Sequence, residues 1–261
     1  MRESVHHLAM LRRNLATIVG GERRSCEGRV ATGHEALDAA MGGGLARGRV
    51  HELFAAEGED AASATGFAAM LALRAAEDKP ILWLGTDEAE RPAGQFYAPG
   101  LAELGGDPAS LVLGLAPDAK TLLKGAADAA RCAGLGALIV ECWGKCTLLD
   151  LTASRRLALA TEQSGVTLLM LRLEAEPVAS AADTRWAVSA GPSRPLEADA
   201  PGPPVFEIEL LRRRAGPSGM RWHLEWDRDR LVFNDPALPG AVVPLPAGRP
   251  AAAQPGLRLS A

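Results

Sequence analysis

The residues that follow Val50 have the layout of a phosphate-binding site but lack the side chains that bind phosphate. An apolar run from Val50 to Phe54 predicts a strand and residues 62 to 76 predict a helix, so a short loop must join them. A phosphate-binding loop has the pattern Gly-x-x-x-x-Gly-Lys-Ser/Thr here, in which backbone N–H groups and the lysine hold the phosphates. The corresponding positions are occupied by Ala55, Asp60, Ala61 and Ala62.

A second alignment of the pattern, from Gly58 to Thr65, recovers the first glycine and the final hydroxyl but not the Gly-Lys pair. The nearest downstream lysine is Lys79, beyond the predicted helix. Carboxylates in this loop oppose a polyanion with no cation to offset them. We therefore expect no ATP binding, no hydrolysis and no cofactor. The loop carboxylates are Glu57, Glu59 and Asp60.

A second apolar strand, residues 136 to 141, ends in Glu141. In nucleotide hydrolases with a phosphate loop, an acid at this point holds Mg²⁺ or its water. An acid at a strand end is also often only solvated, and this alternative stays open. The residues of the predicted degenerate nucleotide site are Ala55, Gly58, Asp60, Ala61, Ala62 and Glu141.

The composition is that of a soluble globular protein, since 48% of the 261 residues are hydrophobic and 23% are charged. The net charge of −4 gives no overall attraction to nucleic acid. No signal peptide and no membrane-spanning stretch is recognisable. Cys142 and Cys146 have a spacing that zinc sites tolerate, but nothing completes four ligands. We expect reduced thiols beside a strand end, no metal site and a cytoplasmic location.

The hydrophobic pattern predicts an α/β fold. Short, continuous apolar strands alternate with helices up to Leu173, which is typical of a mainly parallel β-sheet flanked by helices. After Leu173 the helical signals stop, and three strand-like segments predict an antiparallel, β-rich C-terminal extension at the sheet edge. The core domain is predicted to span residues 30–235.

The two ends of the chain differ from this core. Residues 1–25 predict an amphipathic helical arm whose apolar stripe packs on its own core or on a partner. Residues 236–261 are rich in proline and alanine and predict a disordered tail. The tail contains Gln254, Leu257 and Leu259 at the spacing of peptides that bind sliding clamps, a short pattern that also arises by chance. The stripe consists of Leu8, Leu11, Leu15 and Ile18.

Basic and aromatic residues in the C-terminal part are candidates for contact with DNA or a partner. Arg185 and Trp186 could stack on single-stranded DNA, although a tryptophan in a strand is also typical of a core. Three arginines end the strand that begins near Val205, and they indicate either a solvated strand end or a contact to phosphate or to an acidic partner. These are Arg212, Arg213 and Arg214.

Three segments carry a resemblance to known families. Residues 32–54, "TGHEALDAAMGGGLARGRVHELF", are similar to the beginning of the RecA recombinase core. More closely, this segment and residues 180–193 and 203–226 resemble the ImuA family, RecA-like proteins of bacterial damage-induced mutagenesis. The likeness covers roughly residues 1 to 235. It implies a RecA-like core and places Arg212 and Arg214 where RecA has basic residues that reach a neighbouring subunit's nucleotide. It also places the water-activating glutamate of RecA near Asp87 or Glu88.

The resemblance implies a function and partners. ImuA proteins accompany ImuB, an inactive relative of lesion-bypass polymerases, and an error-prone C-family polymerase under SOS control. They are expected to bridge these partners or to modulate RecA. With the degenerate loop, this favours a non-catalytic accessory protein of translesion synthesis. The alternatives are an active RecA-like, DNA-dependent ATPase, which needs a lysine near phosphate, and an SOS cell-division inhibitor.

Overall fold

The computed structural model describes residues 28–55, 57–87 and 96–236. Within them, nine strands form one large sheet and two short strands form a separate antiparallel ribbon. The ribbon consists of β1 (Arg29–Val30) and β2 (Leu45–Ala46). The large sheet consists of β3 (Val50–Ala55), β4 (Ile81–Thr86), β5 (Leu111–Ala116), β6 (Ala137–Trp143), β7 (Thr167–Leu173), β8 (Thr184–Ala190), β9 (Val205–Arg213), β10 (Arg221–Asp227) and β11 (Val232–Asn234).

The order of strands in the large sheet is β11-β10-β9-β8-β3-β7-β6-β4-β5. The six strands from β8 to β5 are parallel to one another, and β9, β10 and β11 continue the sheet as antiparallel strands. The predicted fold is therefore confirmed. Strand β8 joins the two parts, because it is parallel to β3 on one side and antiparallel to β9 on the other.

Five α-helices lie within the described residues, and local sequence signals set several of their ends. The side chain of Asp118 accepts a hydrogen bond from the N–H of Thr121, and that of Asp150 accepts one from Ala153, as N-caps do. Gly165 ends its helix in the left-handed conformation. The helices are α1 (Glu35–Met41), α2 (Ala61–Ala76), α3 (Ala98–Glu103), α4 (Ala119–Ala129) and α5 (Leu151–Ser164).

The helices cover both faces of the sheet. Alternate residues of the strands contribute to two separate core clusters, as the two-residue period of a strand requires. Helix α2 packs on one face, where the alanines allow close approach and Phe67 contacts the rings of Phe206 and Phe233 at centroid distances of 5.5 and 5.2 Å. Helices α4 and α5 pack on the other face through Leu122 and Leu157.

Some predictions concern residues that the structure does not describe. The predicted arm, residues 1–25, and the predicted tail after Pro236 lie outside the described ranges. The domain boundaries therefore stay predictions. Helices α1 and α3 were not predicted, because each is short and their hydrophobic period is weak. No helix among the described residues is long and apolar enough to cross a membrane.

Candidate functional site

The strand–loop–helix unit that holds the nucleotide in phosphate-loop proteins is present. Its loop is hydrogen-bonded to a neighbouring strand of the sheet. Strand β3 ends at the fully buried Ala55, and a 3₁₀ turn, Gly58–Asp60, leads directly into α2 at Ala61. The Asp60 carboxylate accepts a hydrogen bond of 3.0 Å from the N–H of Ala190, which ties the loop to the end of β8. Helix α2 begins directly after the 3₁₀ turn, and Ala62, its second residue, is exposed.

The charges at this loop are negative. A Cβ atom at Gly58 would lie 2.6 Å from Oε1 of Glu174, so this carboxylate lies directly against the turn. Glu57 and Glu59 are exposed on the same turn. The sequence contains no lysine between Val50 and Ala76, so neither β3 nor α2 supplies a cation of the kind a phosphate loop uses.

Glu141 is held by two tryptophans. Its side chain is only 9% exposed. The indole Nε1 of Trp83 donates to Oε2 at 2.9 Å, and that of Trp143 donates to Oε1 at 2.6 Å. Each carboxylate oxygen thus accepts a hydrogen bond from a fixed donor. Glu141 lies near the carboxyl end of a central strand, as predicted, but the two tryptophan partners were missed. The i, i+2 spacing of Glu141 and Trp143 on one face of β6 is the signal that could have found one of them.

The predicted stacking pair is wrong. Trp186 is 1% exposed in the core on the α2 face, where its Nε1 donates to Oγ1 of Thr184 at 2.7 Å. Arg185 points to the opposite face and forms an ion pair of 2.7 Å with the buried carboxylate of Glu52. It also donates to the side chain of Ser180 at 2.8 Å and to the carbonyl of Val178. Because adjacent strand residues face opposite ways, neither side chain is free to meet a base.

The arginine cluster at the end of β9 divides into two roles. Arg213 donates to the carbonyls of Ala40 and Met41 at 2.8 and 3.0 Å, so it caps the C-terminus of α1. The expectation that all three arginines serve a binding surface is therefore wrong for Arg213. Arg212 and Arg214 are exposed, in agreement with the expectation that at least two of them face water or a partner.

Arg214 lines a polar cavity of about 470 Å³ at the amino ends of the parallel strands, opposite the loop described above. Arg29 and Asp183 also line it, and Arg49 there pairs with Glu162 at 3.0 Å. His51 lies fully buried near these residues. Its ring contacts Oγ1 of Thr184 at 2.7 Å and the carbonyl of Ala46 at 2.8 Å, and burial lowers its pKa below the ordinary 6.5.

Other predicted site residues lie outside the described part of the chain. These are the apolar stripe Leu8, Leu11, Leu15 and Ile18, the tail residues Gln254, Leu257 and Leu259, and Glu88. Asp87 is described and is exposed beyond the end of β4. Among the described residues, no group of three or more histidine, cysteine, aspartate or glutamate side chains could hold a metal ion.

The fold identifies the structural class of the protein. The structure of the RadB recombinase superposes with a TM-score of 0.55, over 80% of this chain and 100% of that one, at 14% sequence identity. The chain thus has the fold of RecA-like proteins.

The particular family follows from sequence relatives. The chain is 34% identical over 194 residues to Protein ImuA of two strains of Caulobacter vibrioides, NA1000 / CB15N and ATCC 19089 / CIP 103742 / CB 15. The match covers 68% of this chain and 75% of each relative. No protein-family model matches the chain. The chain belongs to the ImuA family.

Proposed function

We propose that this protein is a non-catalytic accessory protein of SOS-induced, error-prone translesion synthesis. It bridges an ImuB-like polymerase relative and an error-prone C-family polymerase, or modulates RecA. Membership of the ImuA family supports a role in this pathway. The observation that supports a non-catalytic role is the hydrogen bonding of Glu141. Both of its oxygens accept indole hydrogen bonds, so the acid that would hold Mg²⁺ serves as a structural acceptor.

The estimated free-energy costs of binding Mg²⁺ and phosphate at this loop favour a non-catalytic function over an active ATPase. A hydrogen bond to a charged group is worth about 1.5–3 kcal/mol, and each indole that Glu141 releases in order to bind Mg²⁺ costs about that much. One such release lowers metal affinity by about 10- to 150-fold. A missing lysine contact to phosphate removes about 1.5–3 kcal/mol more. The carboxylates of Glu57, Glu59 and Glu174 add repulsion at the same place.

The candidate partner surface is a groove on the other side of the sheet, between α4 and α5. A groove of about 230 Å³ there has an apolar floor that includes Leu123, Leu157 and the half-exposed Leu148 (51%). The rim of the groove is basic, because all of its charged lining residues are positive. These are Lys120, Lys124 and Arg156. Apolar contacts with a single sign of charge around them fit an amphipathic, acidic segment, as in helix-in-groove recognition.

The charge of the chain's own ends argues for a partner as the occupant. Residues 1–27 contain five arginines and three glutamates, and residues 237–261 contain two arginines and no acid. Both segments are therefore net positive and are repelled by the basic rim. We assign the groove to an acidic, apolar segment of the ImuB-like partner.

Two measurements test this function. Calorimetry with Mg²⁺ and ATP is expected to show no binding at millimolar nucleotide, and micromolar affinity would favour the ATPase instead. Co-purification with the ImuB-like partner is expected for the native chain and is expected to be lost when Lys120, Lys124 and Arg156 are all changed to glutamate.

The matched control reverses three exposed arginines away from the groove. It carries Arg194→Glu, Arg228→Glu and Arg230→Glu, which change the net charge by the same amount. Equal loss of binding in both variants would show that overall charge, not the groove, holds the partner. Association with a tubulin-like division protein but not with the polymerase relative would favour the cell-division alternative.

A further inference from the structure

A buried arginine lies next to a pair of cysteines on the α4–α5 face of the sheet. Strand pairing places Cys142 of β6 opposite Arg172 of β7, and Arg172 opposite Phe54 of β3, so the three form one row across the sheet. Neighbouring strands are about 4.8 Å apart, so these side chains are immediate neighbours. Cys146 follows in the loop after β6 and packs against the same core cluster.

Among the described residues, no carboxylate forms an ion pair with Arg172. It is 2% exposed, and among the described residues its buried Nε and Nη1 atoms have no hydrogen-bond partner. The guanidinium lies 5.7 Å from the centre of the Phe54 ring. Glu52 is paired with Arg185, and Glu141 faces the opposite side of the sheet toward its tryptophans. A buried charge without a partner costs several kcal/mol, so an anion is expected near Arg172.

The loop after β6 supplies a group that can be this anion. The pKa of Cys146 is lowered to about 6, chiefly by the neighbouring Cys142 thiol. The N–H groups of Leu149 and Leu148 and the charge of Arg172 act in the same direction, against the effect of burial. The same interaction between the two sulfurs, together with burial, raises the pKa of Cys142 well above its ordinary value. Both directions favour a thiolate at Cys146 and a thiol at Cys142.

Other charged groups near this loop do not change the assignment of Cys146 as the anion near Arg172. Lys145 is exposed, and Asp150 is engaged as the N-cap of α5. Gly144, between the two cysteines, has a φ of +61°, and nothing lies within 4 Å of the position of its absent Cβ.

We propose that Cys146 and Cys142 form a peroxide-reactive dithiol site whose thiolate is stabilised by the buried guanidinium of Arg172. This is a chemical activity separate from the accessory function and does not depend on it. The positive charge of Arg172 disfavours a metal cation at the two sulfurs, whereas it favours an anionic thiolate.

The reaction needs only hydrogen peroxide as oxidant. The Cys146 thiolate attacks one peroxide oxygen, an S–O bond forms, the O–O bond breaks and hydroxide leaves. The sulfur is now a sulfenic acid, oxidised by two electrons, while peroxide is reduced. The Cys142 sulfur then attacks the Cys146 sulfur, the S–S bond forms, and the sulfenic hydroxyl leaves with the Cys142 proton as water.

The first test compares Cys146 in the full-length chain with the same cysteine in a short synthetic peptide of residues 143–150, which has the ordinary thiol pKa of about 8.5. Iodoacetamide labelling is followed by mass spectrometry between pH 5 and 9. The labelling rate of Cys146 is expected to rise through an inflection near pH 6 in the chain and near pH 8.5 in the peptide. At pH 6 these two values give thiolate fractions that differ by about 150-fold. The lower nucleophilicity of a low-pKa thiolate cancels about tenfold of this, so Cys146 in the chain is expected to react about tenfold faster.

The second test uses peroxide on a full-length chain with Cys26→Ser and Cys132→Ser, so that only the two cysteines remain. One equivalent of peroxide is expected to remove two hydrogens from the intact mass. With Cys142→Ser added, a sulfenic acid at Cys146 is expected to be trapped by dimedone. With Cys146→Ser, Cys142 is expected to stay reduced.

Arg172 is tested as a positioning residue through the pH profile. Arg172→Met is expected to move the Cys146 inflection upward by at least about half a pH unit, and Arg172→Lys, which keeps the charge, to restore most of the shift. Circular dichroism checks that each variant is folded. If Cys146 shows the same inflection in the native chain as in the peptide, or if peroxide yields no disulfide, the proposal is wrong.

Discussion

Replacing Glu141 is expected to destabilise the fold rather than to remove a catalytic activity. In an enzyme that uses this acid for Mg²⁺, a change of glutamate to glutamine costs turnover and leaves stability nearly unchanged. In this protein, Glu141→Gln would keep one carbonyl oxygen but would turn an NH₂ group toward the second indole N–H. One buried donor loses its acceptor, and a charge-assisted bond becomes a neutral one.

The expected loss can be estimated from these contacts. An unsatisfied buried donor costs about 1–3 kcal/mol, so Glu141→Gln is expected to lower the free energy of unfolding by about 2 kcal/mol. Glu141→Ala loses both acceptors and is expected to cost about 2–5 kcal/mol. Trp83 is 7% exposed and Trp143 is less buried, so most of the effect arises from the first. For a domain of this size, about 2 kcal/mol corresponds to a melting shift of roughly 4–8 °C.

Urea unfolding followed by tryptophan fluorescence measures this loss, because both partners of Glu141 are fluorophores. Trp83→Phe in the Glu141→Gln background closes a double-mutant cycle and isolates the coupling between the two side chains. Glu103→Gln, at an exposed position, is the matched control and is expected to change stability by less than about 0.5 kcal/mol. If Glu141→Gln leaves the urea midpoint unchanged while abolishing a measurable Mg²⁺-dependent ATPase, the structural role assigned to Glu141 is refuted.

Three further predictions concern other contacts. Arg213→Met is expected to lower stability by about 1–3 kcal/mol, because the last carbonyls of α1 lose their donors, whereas Arg214→Ala stays within about 0.5 kcal/mol; chemical denaturation of both variants checks this. Trp186→Phe is expected to cost about 1–3 kcal/mol without changing single-stranded DNA binding in a fluorescence anisotropy titration, and a loss of binding at unchanged stability would restore the stacking interpretation. The pKa of the buried His51 is lowered, so the unfolded chain binds a proton more readily. Stability is therefore expected to fall as pH drops below about 6.5, and His51→Gln to flatten this part of the pH–stability curve.

The order of elements followed from local patterns. The continuous apolar strands β6 and β7 are buried on both faces, and their composition alone identified a parallel sheet. The caps at Asp118 and Asp150 depend on residues three positions away, so the sequence contains them too. The absence of the phosphate-loop pattern at Asp60, Ala61 and Ala62 could also be recognised from the sequence, because residue types at fixed spacing define that pattern.

Contacts between distant segments were decided only by the tertiary structure. The sequence placed Glu141 at a strand end, but only the pairing of β4 beside β6 brings Trp83 to its carboxylate across 58 positions of the chain. Three consecutive arginines look alike in the sequence, yet the position of α1 makes Arg213 a helix cap and leaves Arg214 exposed. A side chain's type and period determine which face of its element it occupies. Its partner, and with it the choice between binding and stability, depends on which strands and helices the fold places beside that face.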